Sequence, residues 1–133
     1  MKLYVEEPDS DQVRKIVAAD HEVLVSDLAY VEFHSAIERR RRERSLTASA
    51  AAGVVARFRD DWPKRDRLAL STDVVVRAAE LVARHPLRSL DALHLASALL
   101  AAASAPDPPR FGAADARLVA AAKAEGLVTL ALA

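Results

Sequence analysis

Three carboxylic acids of this 133-residue sequence stand among apolar residues at helical spacing. Glu32 is the only charged residue between Leu28 and Ile37, where a helix would turn it toward a core. Asp91 and Asp115 each open a further apolar stripe. The neighbours at helical spacing are Leu28, Val31, Ser35 and Ala36 for Glu32, then His94, Leu95 and Ala98 for Asp91, and Leu118, Val119 and Ala122 for Asp115. Because an ionised carboxylate that faces a core is costly unless it is paired or bound to a metal, all three are candidate site residues.

The three acids share a predicted position, at or near the beginning of a helix that follows a strand closely. In open parallel sheets, ligands bind outside the carboxyl ends of the strands, which is the edge where such helices begin. Carboxylates that converge there would repel one another, so we expect a hard divalent cation, Mg²⁺ or Mn²⁺, between them. Such a cation activates water for hydrolysis of a phosphodiester. In a simpler interpretation, Asp91 and Asp115 complement the helix dipole and Glu32 forms a buried ion pair with an arginine.

The strongest local charge is a run of arginines after Glu32, namely Arg39, Arg40, Arg41, Arg42 and Arg44. A solvated helix end accounts for this run, because cations are favoured at a helix C-terminus. Contact with the backbone of RNA or with an acidic partner is the functional alternative. The formal net charge of the chain is zero, but residues 1–32 carry eight acids and three bases, and residues 38–67 carry ten bases and five acids. This asymmetry indicates a charged face or a charged partner.

Composition excludes several classes of protein. The balance of 19 basic and 19 acidic residues argues against a generally basic nucleic-acid coat protein. The absence of cysteine excludes a disulfide framework, cysteine zinc sites and thiol catalysis, and the four histidines lack the spacing of a zinc site. The longest apolar stretch, residues 95–105, is about half as long as a bilayer requires, and no signal peptide is visible. We therefore expect a cytoplasmic protein with no membrane contact.

Short apolar strands that alternate with helices are expected to position these residues. Alanine, which has the strongest helix propensity, recurs with leucine and valine at helical spacing. The predicted helices cover residues 9–19, 27–44, 47–62, 72–85, 89–104 and 115–125, and the predicted strands cover residues 21–26, 68–71, 110–113 and 128–132. Thr47 and either Thr72 or Asp73 are predicted N-caps, and Gly126 is predicted to follow the end of the last helix. This order indicates one α/β domain, residues 1–133, with a parallel sheet flanked by helices.

Three segments of the sequence resemble the PIN-domain family, and within it the VapC-type ribonuclease toxins of bacterial toxin–antitoxin pairs. They are residues 24–32, the Leu-Arg-Ser-Leu-Asp-Ala-Leu-His-Leu-Ala box of residues 87–96, and residues 113–118 followed by Gly-Leu-Val at 126–128. The segments occur in the family's order, and the Asp-Ala-Leu-His-Leu-Ala part is the most specific. The resemblance implies a Rossmann-like parallel sheet, Mg²⁺- or Mn²⁺-dependent endoribonuclease activity on RNA, a homodimer, and a small antitoxin that covers the site.

The resemblance also assigns roles to the acids and reveals a difference at the N-terminus. Glu32, Asp91 and Asp115 correspond to the family's second, third and fourth acidic positions, which hold the metal and its attacking water. The first acidic position belongs to an Asp-Thr/Ser-Ser-Ala-Leu segment at the end of an opening strand, and both are missing from this sequence. Ala113 also departs from the Thr or Ser of relatives. We therefore expect the chain to be N-terminally short.

Two hypotheses about function follow from this difference. In the first, which we favour, the true start lies upstream of Met1 and the protein is a metal-dependent endoribonuclease toxin. In the second, the chain is a catalytically weak or inactive PIN module that still binds an antitoxin. A phospho-receiver domain is poorly supported, because no lysine is predicted at a strand end near the acids.

Overall fold

The computed structural model of this protein describes residues 14–15 and 24–132, and the chain divides into two compact units between Arg67 and Leu68. The first unit contains β1 Leu24–Ser26, α1 Leu28–Arg42, α2 Ala48–Asp61 and a 3-10 turn Trp62–Lys64. β2 Asp66–Leu68 crosses the division, because its last residue, Leu68, begins the second unit. The second contains α3 Thr72–Arg84, α4 Ser89–Ser104, β3 Phe111–Ala113, α5 Ala116–Ala124 and β4 Thr129–Ala131. This alternation confirms the predicted α/β class. That residues 1–133 form a single domain stays a prediction.

The described strands are short and form two pairs. β1 pairs with β2, and β3 pairs with β4 in a parallel register that sets Phe111 beside Thr129. β1 coincides with residues 24–26 of the predicted strand over residues 21–26, and residues 21–23 lie outside the described residues. β1 is only partly buried, because Leu24 is 41% exposed while Ser26 is buried. Parallel strands joined through a helix, such as β3, α5 and β4, are the unit from which α/β folds are built.

The core of the first unit lies between α1 and α2. Phe33 and Ile37, one turn apart on α1, are buried, and the ring of Phe33 stacks on that of Phe58 at a centroid distance of 3.8 Å and an interplanar angle of 6°. This packing corrects one prediction. The stripe of Glu32 is not the face of α1 that enters the core, and its member Val31 is 60% exposed. The large aromatic side chain of Phe33 determines the buried face, and the smaller apolar residues around it flank that face.

The core of the second unit is built from α3, α4 and α5 and consists mainly of leucine and alanine. Leu81, Leu95 and Ala122, one from each helix, have no exposed surface. The distance at which two helices pack depends on the side chains at their contact, and small alanine side chains allow a close approach. The stripe predicted to begin at Asp115 faces the core, because Leu118, Val119 and Ala122 are all buried. Of the stripe predicted to begin at Asp91, Leu95 is buried while His94 and Ala98 are half-buried, so this stripe lies at the edge of the core.

The helix boundaries follow local signals. Thr47 caps α2 as predicted, by accepting a backbone N–H of the first turn at 3.1 Å. α3 is capped by Ser71 rather than by Thr72 or Asp73, because the Ser71 hydroxyl accepts a backbone N–H at 3.3 Å. β2 begins two residues earlier than predicted. Residues 14 and 15 are helical, and the rest of the helix predicted over residues 9–19 lies outside the described residues. In the described part of the chain, no helix is long and apolar enough to cross a membrane.

α5 ends at the predicted glycine. Gly126 has φ +93°, a left-handed conformation that costs glycine little. Its N–H donates to the carbonyl of Lys123 at 3.0 Å, and the N–H of Leu127 donates to the carbonyl of Ala122 at 3.0 Å. These two bonds form a Schellman motif, and Leu127 completes it by packing against the core of the second unit.

Candidate functional site

Asp91 lies in the first turn of α4, which begins at Ser89. Its side chain is 20% exposed, and its Oδ2 accepts a hydrogen bond from Nε of Arg88 at 3.2 Å. The side chain of Arg88 is 82% exposed, so this ion pair lies at the surface and is weak. Ala92 and Leu95, which follow on α4, have no exposed surface. Asp91 therefore lies at the border between core and solvent.

Asp115 is the N-cap of α5, two residues beyond the end of β3. Its Oδ1 accepts the N–H of Arg117 at 2.8 Å and the N–H of Leu118 at 3.2 Å. The simpler interpretation of this acid is thus realised in part, since Asp115 stabilises a helix beginning. The cap uses one carboxylate oxygen, and Oδ2 accepts no hydrogen bond within the described residues. Asp115 is exposed, so a carboxylate of fixed orientation faces solvent at the carboxyl end of a strand.

Glu32 belongs to the first unit, on the second turn of α1, and is half-buried. It lies between the exposed Val31 and the buried Phe33, at the edge of the core that α1 and α2 share. A glutamate in the middle of a helix has no capping role. Since Asp91 and Asp115 belong to the second unit, the convergence of all three acids stays a prediction.

The donor chemistry of the second unit suits a hard cation. Asp91 and Asp115 supply carboxylate oxygens, the ligand type that Mg²⁺ and Mn²⁺ prefer. Each acid stands at the beginning of a helix whose inner residues join the same buried cluster. Among residues 14–15 and 24–132, no group of three or more metal-ligating side chains is placed to share an ion. The metal site therefore stays a prediction, with donors of the right chemistry on α4 and α5.

The arginine run lies at the end of α1, and its side chains are of two kinds. Arg41 forms an ion pair with Glu38, because its Nε and Nη2 both lie 3.0 Å from Oε2 of that residue. Arg40 is half-buried. The other members are exposed and form no ion pair or side-chain hydrogen bond with any residue that the structure describes. These members, called the α1 arginine surface below, are Arg39, Arg42 and Arg44.

One charged cluster of the second unit was not predicted from the sequence. Arg84 donates from Nε and Nη2 to Oε1 of Glu125, the Nε bond being 3.1 Å long, and Nε2 of His85 lies 3.6 Å from the same oxygen. The hydrogen bond from Arg84 holds the pKa of the Glu125 carboxyl below its ordinary value, while burial acts in the opposite direction. The cluster joins the end of α3 to the end of α5 opposite Asp115. No sequence signal marks it, since Arg84 and Glu125 are 41 positions apart.

Comparison with known proteins identifies a family whose model matches most of the chain. The family model of the PIN domain matches residues 1–123. Two relatives from Mycobacterium tuberculosis are similar to the chain, Ribonuclease VapC45 of strain CDC 1551 / Oshkosh and Ribonuclease VapC49 of strain ATCC 25618 / H37Rv. Each is 38% identical to it over 76 residues, which are 57% of this chain and 53% of the relative. The chain thus aligns with about half the length of each relative.

Proposed function

Because this chain belongs to the PIN-domain family, we propose that it is a metal-dependent endoribonuclease, the toxin of a VapC-type toxin–antitoxin pair. The observation that carries the proposal is the match to the PIN domain over residues 1–123. The two relatives support it, because both are named ribonucleases. The exposed carboxylate at the beginning of α5 and the partly exposed one in the first turn of α4 supply the acidic chemistry that such an activity requires.

We assign Asp91, Asp115 and Glu32 to hold Mg²⁺ or Mn²⁺ through carboxylate oxygens. Asp115 would use Oδ2, because Oδ1 accepts the two hydrogen bonds of the helix cap. Asp91 would exchange its surface ion pair with Arg88 for the cation. When bound, a divalent cation polarises a water molecule and neutralises the charge that develops on the phosphate.

The partners of the proposed toxin are RNA, an antitoxin and a second copy of the chain. The arginines at 39–42 and 44 contact either the RNA backbone or the acidic surface of a partner. A small antitoxin covers the acidic site, and the toxin works as a homodimer in the cytoplasm. These parts of the proposal come from the family and from the charge pattern of residues 38–67.

Replacing Asp91→Asn is the first test of the site. The substitution keeps the size of the side chain and removes one charged ligand, so Mg²⁺-dependent cleavage of a labelled RNA is expected to fall about 100-fold or more. Circular dichroism on the same sample checks that the variant is folded. Cleavage at the wild-type rate would reject Asp91 as a site residue.

Two substitutions at Asp115 separate its capping role from its proposed role as a ligand. Asparagine is as good an N-cap as aspartate, so Asp115→Asn is expected to keep the free energy of unfolding and to lose cleavage. Asp115→Ala loses the cap as well and is expected to lower the free energy of unfolding by about 1 kcal/mol. If Asp115→Asn cleaves RNA normally, Asp115 is a cap and nothing more.

The inactive PIN module remains a distinct outcome of the same experiments. A wild-type chain that binds an antitoxin, cleaves no RNA and unfolds at the same temperature with and without MgCl₂ would support it. The thermal measurement is decisive because any ligand that binds only the folded state must raise the unfolding midpoint.

A further inference from the structure

The end of α1 places a non-glycine residue in a conformation that favours glycine. Arg44 has φ +58° and is the only non-glycine residue with positive φ in the described part of the chain. Its N–H donates to the carbonyl of Arg41 at 3.2 Å, and the N–H of Ser45 donates to the carbonyl of Arg40 at 3.0 Å. These two bonds are those of a Schellman motif, which fixes Arg44 in the left-handed region. A residue with a Cβ is strained there, because this atom approaches the following carbonyl oxygen.

The same motif ends α5, where Gly126 occupies the equivalent position. The fold therefore uses glycine for this turn in one place and arginine in the other. The conformation itself does not require arginine, and the side chain of Arg44 forms no hydrogen bond or ion pair within the described residues that could offset the strain. Strain that a fold tolerates without a local gain is a reason to seek a role in binding.

Charge is the second unfavourable feature of this helix end. Glu38 neutralises Arg41, but Arg39, Arg42 and Arg44 are exposed and unpaired among the residues that the structure describes. The negative end of the helix dipole stabilises cations near it by about 0.3 to 1 kcal/mol each in low salt, and less in physiological salt. These three arginines lie within six positions of the sequence, with Glu43 as the one acid between them, so a polyanion that binds all three would neutralise the excess of positive charge.

We propose that Arg39, Arg42 and Arg44 bind the phosphate backbone of single-stranded RNA, and that the left-handed backbone of Arg44 directs its guanidinium to a phosphate. The inference rests on the proposed ribonuclease function and names residues, other than the acids, that hold the substrate. A guanidinium binds phosphate with two parallel hydrogen bonds, which suits arginine better than lysine. Contacts of this kind hold RNA without regard to its sequence.

The composition of this segment favours RNA over a protein partner. Residues 38–45 are Glu-Arg-Arg-Arg-Arg-Glu-Arg-Ser and contain no apolar or aromatic side chain. A protein interface needs a desolvated centre, in which aromatic and aliphatic side chains supply most of the binding energy. An RNA backbone needs only cations with the right donors, and the α1 arginine surface supplies these.

Binding of RNA to the full chain in EDTA tests the proposal without cleavage. The probe is a fluorescein-labelled single-stranded RNA of mixed sequence, titrated at several salt concentrations. Arg39→Gln, Arg42→Gln and Arg44→Gly are each expected to weaken binding about threefold and to reduce the slope of log K against log salt by about 0.7. Arg59→Gln, which removes an exposed arginine near the end of α2, is the matched control and should change binding less.

Arg44→Gly gives the sharpest readout, because its two expected effects have opposite signs. Glycine relieves the strained backbone, so the thermal unfolding midpoint should rise while RNA binding weakens. A loss of binding through misfolding cannot produce this combination. Unchanged RNA binding by Arg44→Gly, or an equal loss in the Arg59→Gln control, would overturn the proposal. Competition by polyglutamate as effective as that by unlabelled RNA would also overturn it, since the surface would then accept any polyanion.

The experiments distinguish a failure of the ribonuclease function from a failure of the RNA-binding inference. A chain that binds RNA through these arginines in EDTA but does not cleave it with Mg²⁺ keeps the inference and contradicts the proposed function. A chain that cleaves RNA, and whose three variants bind and cleave like the wild type, keeps the function and contradicts the inference.

Discussion

The two compact units end a helix with the same pair of backbone hydrogen bonds but with different residues. In the second unit, α5 ends on Gly126, and Leu127 behind it packs against the core. In the first unit, α1 ends on Arg44, and Ser45 behind it is exposed. One end therefore combines an unstrained backbone with buried apolar surface, whereas the other combines a strained backbone with exposed charge.

This difference concerns the stability of the two helix ends and the binding that we propose for one of them. The end of α5 has the features that stabilise a Schellman motif, glycine and an apolar contact. The end of α1 lacks both, so the hydrogen bonds there hold a conformation that the residue itself disfavours. Positions that lower stability without a local gain are the ones to examine for ligand contacts.

The substitution Gly126→Ala is expected to destabilise the end of α5 and to have the largest effect on the free energy of unfolding. A Cβ at this position would meet no atom within 4 Å, so crowding does not contribute. The φ of +93° is unfavourable for alanine, and the free energy of unfolding is expected to fall by about 1 to 2 kcal/mol. Urea unfolding followed by circular dichroism measures it. A variant as stable as the wild type would mean that the turn relaxes to another conformation.

Replacing Arg44→Gly should make the two ends alike. Relief of the left-handed strain is expected to raise the free energy of unfolding by about 0.5 to 1 kcal/mol, reduced by the greater freedom of glycine in the unfolded chain. The same urea experiment measures it, with Arg42→Gly as a control that introduces glycine at the last residue of the helix and should destabilise. Destabilisation by Arg44→Gly would show that the arginine side chain stabilises the turn.

The charge of Glu125 at the end of α5 is expected to make the smallest contribution to the free energy of unfolding, and this contribution depends on pH. Glu125 is held at a pKa below its ordinary value of 4.5, chiefly by its hydrogen bond from Arg84. A carboxyl whose pKa is lowered on folding stabilises the protein above its unfolded pKa, and this contribution is lost as the pH falls through the folded pKa. Glu125→Gln should therefore lower the free energy of unfolding by less than about 1 kcal/mol at pH 7. The difference from wild type should vanish at low pH, and a difference that persists there would contradict the assignment.

The parts of the fold that depend on neighbouring residues were predictable from the sequence. Thr47 caps α2 and Gly126 follows α5 as expected, because each signal acts within one helical turn. The buried face of α1 was not predictable in the same way. It is determined by the stacking of Phe33 on Phe58, which are 25 positions apart in the sequence, and residues 28–37 alone do not show that Phe58 lies opposite Phe33.

The candidate site was predictable as a set of residues but not as an arrangement. The positions of Asp91 and Asp115 at helix beginnings followed from the apolar stripes behind them. That Asp115 commits one oxygen to a cap depends on the exact residue at which α5 begins, which sequence patterns locate only to within a few residues. The partner of Glu125 was not predictable, because its charge pair connects two helices through the packing of the second unit.

The position of Trp62 gives the chain an optical probe of its own cooperativity. It is the only tryptophan, and its ring lies 5.2 Å from that of Tyr30, 5.5 Å from that of Phe58 and 5.5 Å from the guanidinium of Arg67, all in the first unit. Its fluorescence therefore reports the melting of one unit, whereas the circular dichroism of the helices reports both. Coincident unfolding curves from the two signals mean that the units melt as a single block, and separated curves mean that each melts by itself.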